Sequence, residues 1–208
     1  ANFTTTSQTI KAVVTNNTPQ LCLDEVAITF IVDVSPQAFS VPSTLTTACD
    51  DELDPINQDG KFAFDTSTFE TTILGGQTGM IVKYYDQNNV LLPSPLPNPF
   101  LTNTQNITVN VQNPLNTICS ASTTLNFVVN PIPNIDLNLD GLDNELVCQN
   151  ISAFFVTLDA GILDGSPTTD YDYIWTKDGQ IVGTNSPTLD VNSVGDYTVE
   201  VINNSGCS

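Results

Sequence analysis

The sequence predicts an all-β protein built from tandem Ig-like β-sandwich modules. Three observations carry this. Runs of β-branched and aromatic residues alternate with Pro, Asn and Gly turns along the whole chain, and no stretch longer than about ten residues keeps a helical apolar period. A hairpin-sized segment occurs twice, 97 positions apart. The strands come at the short, regular spacing of a sandwich.

The repeat emerges when the 208-residue chain is slid along itself without a gap. Residues 3–36 then fall on 100–133. Phe3 meets Phe100, Gln8 meets Gln105, Ile10 meets Ile107, Val14 meets Val111 and Asn16 meets Asn113. Further on, Cys22 meets Cys119, Phe30 meets Phe127, Val32 meets Val129 and Pro36 meets Pro133. Thr108–Asn113 (TVNVQN) recurs a third time as Thr198–Asn203 (TVEVIN), and Lys11–Asn16 (KAVVTN) is its counterpart. Each copy is an alternating strand that ends in Asn, followed by a polar turn and a Cys. A second apolar strand follows the first two copies, at Val26–Val32 and Thr123–Val129. Strand, short loop, strand is a β-hairpin.

Proline-rich stretches, Ser35–Pro42 and Asn130–Asn134, follow these hairpins and mark module boundaries. The expected organisation has three parts. Residues 1–36 are the closing hairpin of a preceding, truncated repeat. Residues 37–133 are a complete repeat, and residues 134–208 are a sandwich that lacks its last strand.

In the complete repeat the expected strands are Lys61–Asp65, Thr71–Leu74, Met80–Tyr85, Ile107–Val111 and Leu125–Val129. Leu91–Phe100 carries four prolines and should cross an edge or run between sheets, because proline cannot donate to a ladder. In the last part they are Ile135–Leu139, Ala153–Leu158, Tyr171–Thr176, Thr188–Val191 and Asp196–Ile202. Lys177–Gln180 (KDGQ) reads as an Asp-Gly hairpin turn.

Charge narrows the function classes. Four lysines (Lys11, Lys61, Lys83, Lys177) oppose 23 acidic residues, for a formal charge of −19, and the chain has no Arg or His. Such a surface repels nucleic-acid phosphates and anionic membranes. Without His there is no Ser–His–Asp or Cys–His catalysis and no His-ligated zinc. No run of 18 apolar residues suggests a membrane span. Paired carboxylates could in principle serve glycoside hydrolysis, but no aromatic cleft accompanies them, and no enzymatic activity is expected. Five widely spaced cysteines (Cys22, Cys49, Cys119, Cys148, Cys207) with no CxxC pair suit an exported, disulfide-bonded protein.

The last part contains Cys148, Thr157–Gly161 (TLDAG), Tyr173 and Trp175 (Y-x-W), then Gly195, Tyr197, Val199, Val201, Gly206 and Cys207 in a closing G-x-Y-x-V-x-V pattern. It resembles the Ig-like and PKD-like surface modules of Bacteroidota. The complete repeat, with ACDDELD, GKFAFD and VKYYD, resembles the acidic companion repeats of the same large proteins. The resemblance implies a cell-surface adhesin that leaves by type IX secretion, of the kind associated with gliding motility. It implies an extracellular, cell-surface location. Trp175 is expected to plug the gap between sheets, and the Tyr197 hydroxyl to return to backbone.

Two cysteines recur per module, one before the early strand (Cys49, Cys148) and one in the closing hairpin (Cys119, Cys207). Pairing within modules, Cys49–Cys119 and Cys148–Cys207, is the first expectation, and it leaves Cys22 alone. In a strict Ig topology those two places lie at opposite poles, too far apart to bond. Cys49 would then meet Cys207 across the module junction.

Asp50, Asp51, Glu52, Asp54, Asn57, Asp59 and Asp65 crowd around an Asp-Gly turn. Seven oxygen-bearing side chains suit Ca²⁺, a hard ion that takes six to eight oxygens, so calcium is the cofactor expected. A second group, Asp136, Asn138, Asp140 and Gly141, matches the start of an EF-hand loop but has Val147 where the bidentate acid belongs.

The function expected is a non-catalytic structural and adhesive stalk segment. Its partners would be neighbouring repeats of the same chain and a surface polysaccharide or protein ligand. One alternative is a carbohydrate-binding module of a secreted enzyme, with Tyr84, Tyr85 and Phe100 as the aromatics to inspect. Another is a subunit of a polymeric surface filament, completed by a neighbouring strand beside Asp196–Ile202.

Overall fold

The computed structural model describes residues 2–17, 22–137 and 155–208. The chain is all-β, with several sheets and almost no helix.

The first element is a hairpin of β1 (Gln8–Thr15) and β2 (Leu23–Phe30). It pairs with no other strand among the described residues. Its apolar side chains stand in solvent: Val14 is 70% exposed, Leu23 63% and Val26 57%.

A first sandwich follows. It contains β3 (Thr47–Cys49), β4 (Lys61–Phe64), α1 (Phe69–Leu74), β5 (Ile81–Tyr85) and β6 (Leu91–Leu92). It continues with β7 (Phe100–Asn103), β8 (Gln105–Asn113) and the long β9 (Asn116–Asn130). One sheet has the order β3-β9-β8-β5-β6, and β4 and β7 form the other. The core between them is made by Phe64, Phe69, Ile73, Val82, Tyr84, Ile107, Val109, Val111, Leu125 and Phe127, with Leu96 beside them. Alternation builds it: every second residue of β8 (Ile107, Val109, Val111) is fully buried while its neighbours face out.

Residues 71–74 are not a strand. Phe69–Leu74 is a short α-helix. Phe69 and Ile73, four apart, both drop into the core, and Gly75 ends the helix in the left-handed region at φ +56°. A β-carbon at Gly75 would also sit 2.4 Å from the Phe39 ring, so a side chain there is excluded twice over.

The second sandwich contains β10 (Val156–Asp159), β11 (Tyr171–Lys177), β12 (Gln180–Ile181), β13 (Thr188–Val191) and β14 (Tyr197–Asn203). One sheet has the order β12-β11-β14, and β10 pairs with β13. Ala160, Tyr173, Trp175 and Val201 form the centre of its core. The Trp175 ring nitrogen donates to the Ser186 carbonyl at 2.8 Å, so the large ring is buried without an orphaned donor. The Tyr197 hydroxyl returns to the Ser193 carbonyl at 3.1 Å. Asp178 and Gly179 both have positive φ, as a two-residue type I′ turn requires. Of the strand expected at 135–139, Ile135 makes a single bridge to Ile162, Asp136 and Leu137 are not in a strand, and Asn138 and Leu139 lie outside the described residues.

The repeat seen in the sequence is a repeat of geometry. β1 pairs β2 as Gln8↔Phe30 through Thr15↔Leu23. β8 pairs β9 as Gln105↔Phe127 through Gln112↔Ser120. Every one of these pairs is displaced by the same 97 positions. Phe3 rests on Phe30 with ring centroids 5.5 Å apart, and Phe100 rests on Phe127 at 5.5 Å. The Ser7 hydroxyl bridges the Val32 N–H and carbonyl, and the Thr104 hydroxyl does the same at Val129.

Candidate functional site

A disulfide and several side-chain hydrogen bonds to the linker lie at the junction between the two sandwiches. β3 runs parallel to the end of β9 and places Cys49 beside Asn130. The Asp50 N–H donates to the Asn130 carbonyl at 2.8 Å, which fixes that alignment. From the other side, β14 ends at Asn203 and turns back so that Cys207 lies against it. The Asn203 N–H donates to the Cys207 carbonyl, and the Cys207 N–H donates to the Asn203 side-chain oxygen. The result is a disulfide between Cys49 and Cys207, with Cα atoms 5.7 Å apart across 158 positions of sequence.

This corrects the first expected pairing. Cys49 is bonded to Cys207, not to Cys119, so neither Cys49–Cys119 nor Cys148–Cys207 forms. Cys119 and Cys22 are unbridged among the described residues, and Cys148 lies outside them. The physical reason is the one that spoke against intramodule pairing. β3 ends at the pole of the first sandwich that faces the second, and the β8–β9 turn lies at the other end of β9.

The linker between the sandwiches is held as well as crossed. Gln58 takes both sides of it, donating to the Ile132 carbonyl and accepting from the Ile132 N–H. Asn203 donates its side-chain N–H to the Pro131 carbonyl at 2.7 Å. Beyond it, the Asp136 and Leu163 amides bind the Gly161 and Asn134 carbonyls. A groove of about 300 Å³ remains at the junction. Its walls include Glu52, Leu53 and Pro55 on the first sandwich, Val199 and Val201 on the second, and Ile132 between them.

The linker before the first sandwich is gripped in a similar way. The Gln37 N–H donates to the Gln77 side-chain oxygen, and the Gln77 amide donates back to the Gln37 carbonyl. The Phe39 N–H donates to Ile73 at the end of α1.

The seven residues expected to hold calcium lie along this region, and four of them, Asp50, Asp54, Asp59 and Asp65, accept from nearby backbone N–H groups. Asp50 is buried, with one oxygen on the Gly60 N–H at 2.7 Å and the other on the Glu52 N–H at 3.2 Å. Asp54 caps the turn Pro55–Asn57 through the Ile56 N–H and also accepts from the Asn57 side chain. Asp59 binds Lys61 through both its N–H and its ammonium. That hydrogen bond with the ammonium lowers the Asp59 pKa and raises that of Lys61. Asp65 accepts from the Ser67 N–H, which lowers its pKa. Asp51 and Glu52 are exposed. Among the described residues, no three acidic or cysteine side chains come together as a metal ion would need. In the second acidic group, Asp136 is described, whereas Asn138, Asp140 and Gly141 lie outside the described residues.

Of the aromatics considered for sugar stacking, Tyr84 is 1% exposed. Burial, and then the nearby Glu70 charge, raise its pKa strongly. Phe100 packs on Phe127. Only Tyr85 of the three lies outside the core-packing residues, so no exposed platform of all three exists. Gln58, Gln77 and Asn203 were missed by sequence reasoning. The Asn that ends each repeated strand was the one signal that could have pointed to Asn203.

The site therefore defines a class: a β-sandwich whose early strand is bonded covalently to the next sandwich. Residues 45–133 match the sequence model of a family described as the Flavobacterium inter-domain disulphide bond domain. The matched segment is less than half of the chain, and it contains Cys49 at its leading edge. It agrees with the Bacteroidota resemblance of the sequence. No curated protein and no solved structure matches the chain.

Proposed function

We propose that this chain is a non-catalytic stalk segment of a large, exported cell-surface adhesin, in which successive β-sandwiches are stapled end to end. The observation that carries the reading is the Cys49–Cys207 disulfide, which joins two separately cored sandwiches and contributes nothing to the interior of the first. A bond of this kind suits an oxidising, extracellular setting. The clamps at Ile132 and Pro131 add to it by limiting rotation at the linker. A load carried along the chain would pass through the staple as well as the linker. The acidic surface keeps a long array soluble. The match to an inter-domain disulfide family supports the same reading.

Small-angle scattering of the oxidised and reduced protein tests it. The oxidised form should give a single maximum dimension, independent of salt. Reduction should broaden the distribution of dimensions while both sandwiches stay folded. Identical scattering from the two forms would show that the staple has no mechanical role. The carbohydrate-binding alternative gains no support from Tyr84 and Phe100, which are committed to the core.

A further inference from the structure

We infer that Cys119 is one half of a second inter-domain disulfide, whose other half is a cysteine on a strand lying parallel to the end of β2, in the sandwich that the β1–β2 hairpin closes. The inference deepens the stapled-array reading and rests on it.

β9 has a parallel partner strand that β2 lacks among the described residues. On the first sandwich, β3 pairs in parallel with Val128, Val129 and Asn130. The Val128 N–H donates to Thr46, and the Asn130 carbonyl accepts from Asp50. Moved back by the 97 positions that relate the two hairpins, these places are Ile31, Val32 and Asp33. The Ile31 N–H and the Asp33 carbonyl make no backbone hydrogen bond among the described residues, and Ile31 is 77% exposed. An unpaired strand edge of this kind is a template for another strand. Its geometry is already known from β3, because the two hairpins agree pair by pair in register.

Asn203 reaches back to the end of the preceding β9 through Pro131. Asn113 holds the equivalent place in the TVNVQN copy, and it reaches back to the end of the preceding hairpin, donating to Asp33 at 2.6 Å. At both junctions the side-chain amide of this Asn thus reaches the chain just past the preceding hairpin, meeting the Pro131 carbonyl at one and the Asp33 carboxylate at the other. At the later one, the Cys that follows Asn203 is bonded to the Cys beside Asn130. At the earlier one, Gln112 pairs with Ser120 and Asn113 with Asn116, so Cys119 lies in the bulge between these two pairs, next to the end of β8. Cys119 is half-buried and unbridged. Its missing partner is a Cys49-like residue beside Asp33.

Bond formation is an oxidation. The two thiols lose two protons and two electrons. The oxidant is a disulfide carried by a thiol oxidoreductase of the exporting compartment, which is reduced to its dithiol. The oxidant's disulfide is first attacked by the thiolate of the partner cysteine. Cys119 thiolate then attacks the partner sulfur of that mixed disulfide, forms the new S–S bond and expels the oxidant's second thiolate.

The test is disulfide mapping of the intact natural protein, alkylated with N-ethylmaleimide from lysis onward and digested without reduction. The expected result is a peptide containing Cys119 joined, within one polypeptide, to a cysteine outside residues 22–208. The same linked peptide should be lost in Cys119→Ser while the Cys49–Cys207 peptide persists. Cys119 recovered with maleimide attached overturns the inference. So does Cys119 joined to Cys22 or Cys148, or joined to a second polypeptide as judged by mass on a non-reducing gel. The Cys49–Cys207 peptide separates the two failures. If it is present and Cys119 is free, the stapled-array reading stands and this inference falls. If it too is absent, both fall.

Discussion

Gln58 holds the backbone of Ile132 at both of its polar groups, its Nε2 donating to the carbonyl at 3.1 Å and its Oε1 accepting from the N–H at 2.8 Å. The two residues are 74 positions apart, and one belongs to the acidic loop of the first sandwich while the other starts the linker. This contact makes the loop part of the junction. Gln58→Ala should cost about 1–2 kcal/mol, the usual worth of part-buried hydrogen bonds lost with one partner left behind. Hydrogen exchange at the Ile132 amide should quicken, while amides within β8 stay protected. Unchanged exchange at Ile132 would show that the clamp does not hold the linker.

Removing the staple should loosen the junction and leave both sandwiches folded, because each has its own core. In the chain-entropy picture, a bridge closing a loop of this length contributes at most about 5 kcal/mol. For Cys207→Ser, far-ultraviolet circular dichroism should be retained, the apparent Tm should fall, and a protease should cut faster between Pro131 and Asn134. Equal cutting of the oxidised and variant proteins would contradict the role given to the bond.

Asp50 should behave as a structural carboxylate. It is buried and satisfied by two backbone N–H groups, so Asp50→Ala strands two donors and should cost about 1–3 kcal/mol. Asp54, Asp59 and Asp65 are turned toward their own turns, so thermal melts with and without a chelator should coincide. A rise in Tm of several degrees on adding calcium would mean that these carboxylates regroup around the ion.

Asn113 and Asp33 make a pH-dependent contact between the hairpin and the first sandwich. The hydrogen bond from Asn113, and then that from the Val34 N–H, hold the Asp33 pKa below its ordinary 3.8. A lowered pKa means that the unfolded chain takes the proton first as pH falls. The contribution is therefore complete above the ordinary value and is lost as pH drops through the lowered one. Carboxyl carbon NMR of Asp33 should show a midpoint below 3.8, and Asn113→Ala should move that midpoint upward. Coincident titrations in the two proteins would remove the contact from the account.

Much of the architecture was legible in the residues because it depends on local period and on self-similarity. The alternation Ile107, Val109, Val111 identifies a half-buried strand wherever it occurs. The paired Phe, Gln, Val and Cys positions identify the hairpin twice, and the shared register follows from the shared pattern. Trp175 and Tyr197 could be assigned because a large ring with one polar atom has few places to go in a sandwich. Thr71–Leu74 was misleading, since Thr and Ile favour strands in isolation. Burial of Phe69 and Ile73 on one face, with a left-handed Gly75 behind them, outweighs that preference.

By itself, the order of residues determined an all-β chain, a duplicated hairpin, an acidic surface and cysteines at equivalent places in each copy. Tertiary structure alone decided which of those cysteines meet and what the acids do. Both depend on which ends of separate sheets abut, and on whether a carboxylate turns toward solvent or toward a nearby N–H. The Cys49–Cys207 bond and the grip of Gln58 on Ile132 join segments 158 and 74 positions apart, and short-range patterns contain no record of them. The acids bind N–H groups two to ten positions away, but which N–H each one meets depends on how the folded turn closes.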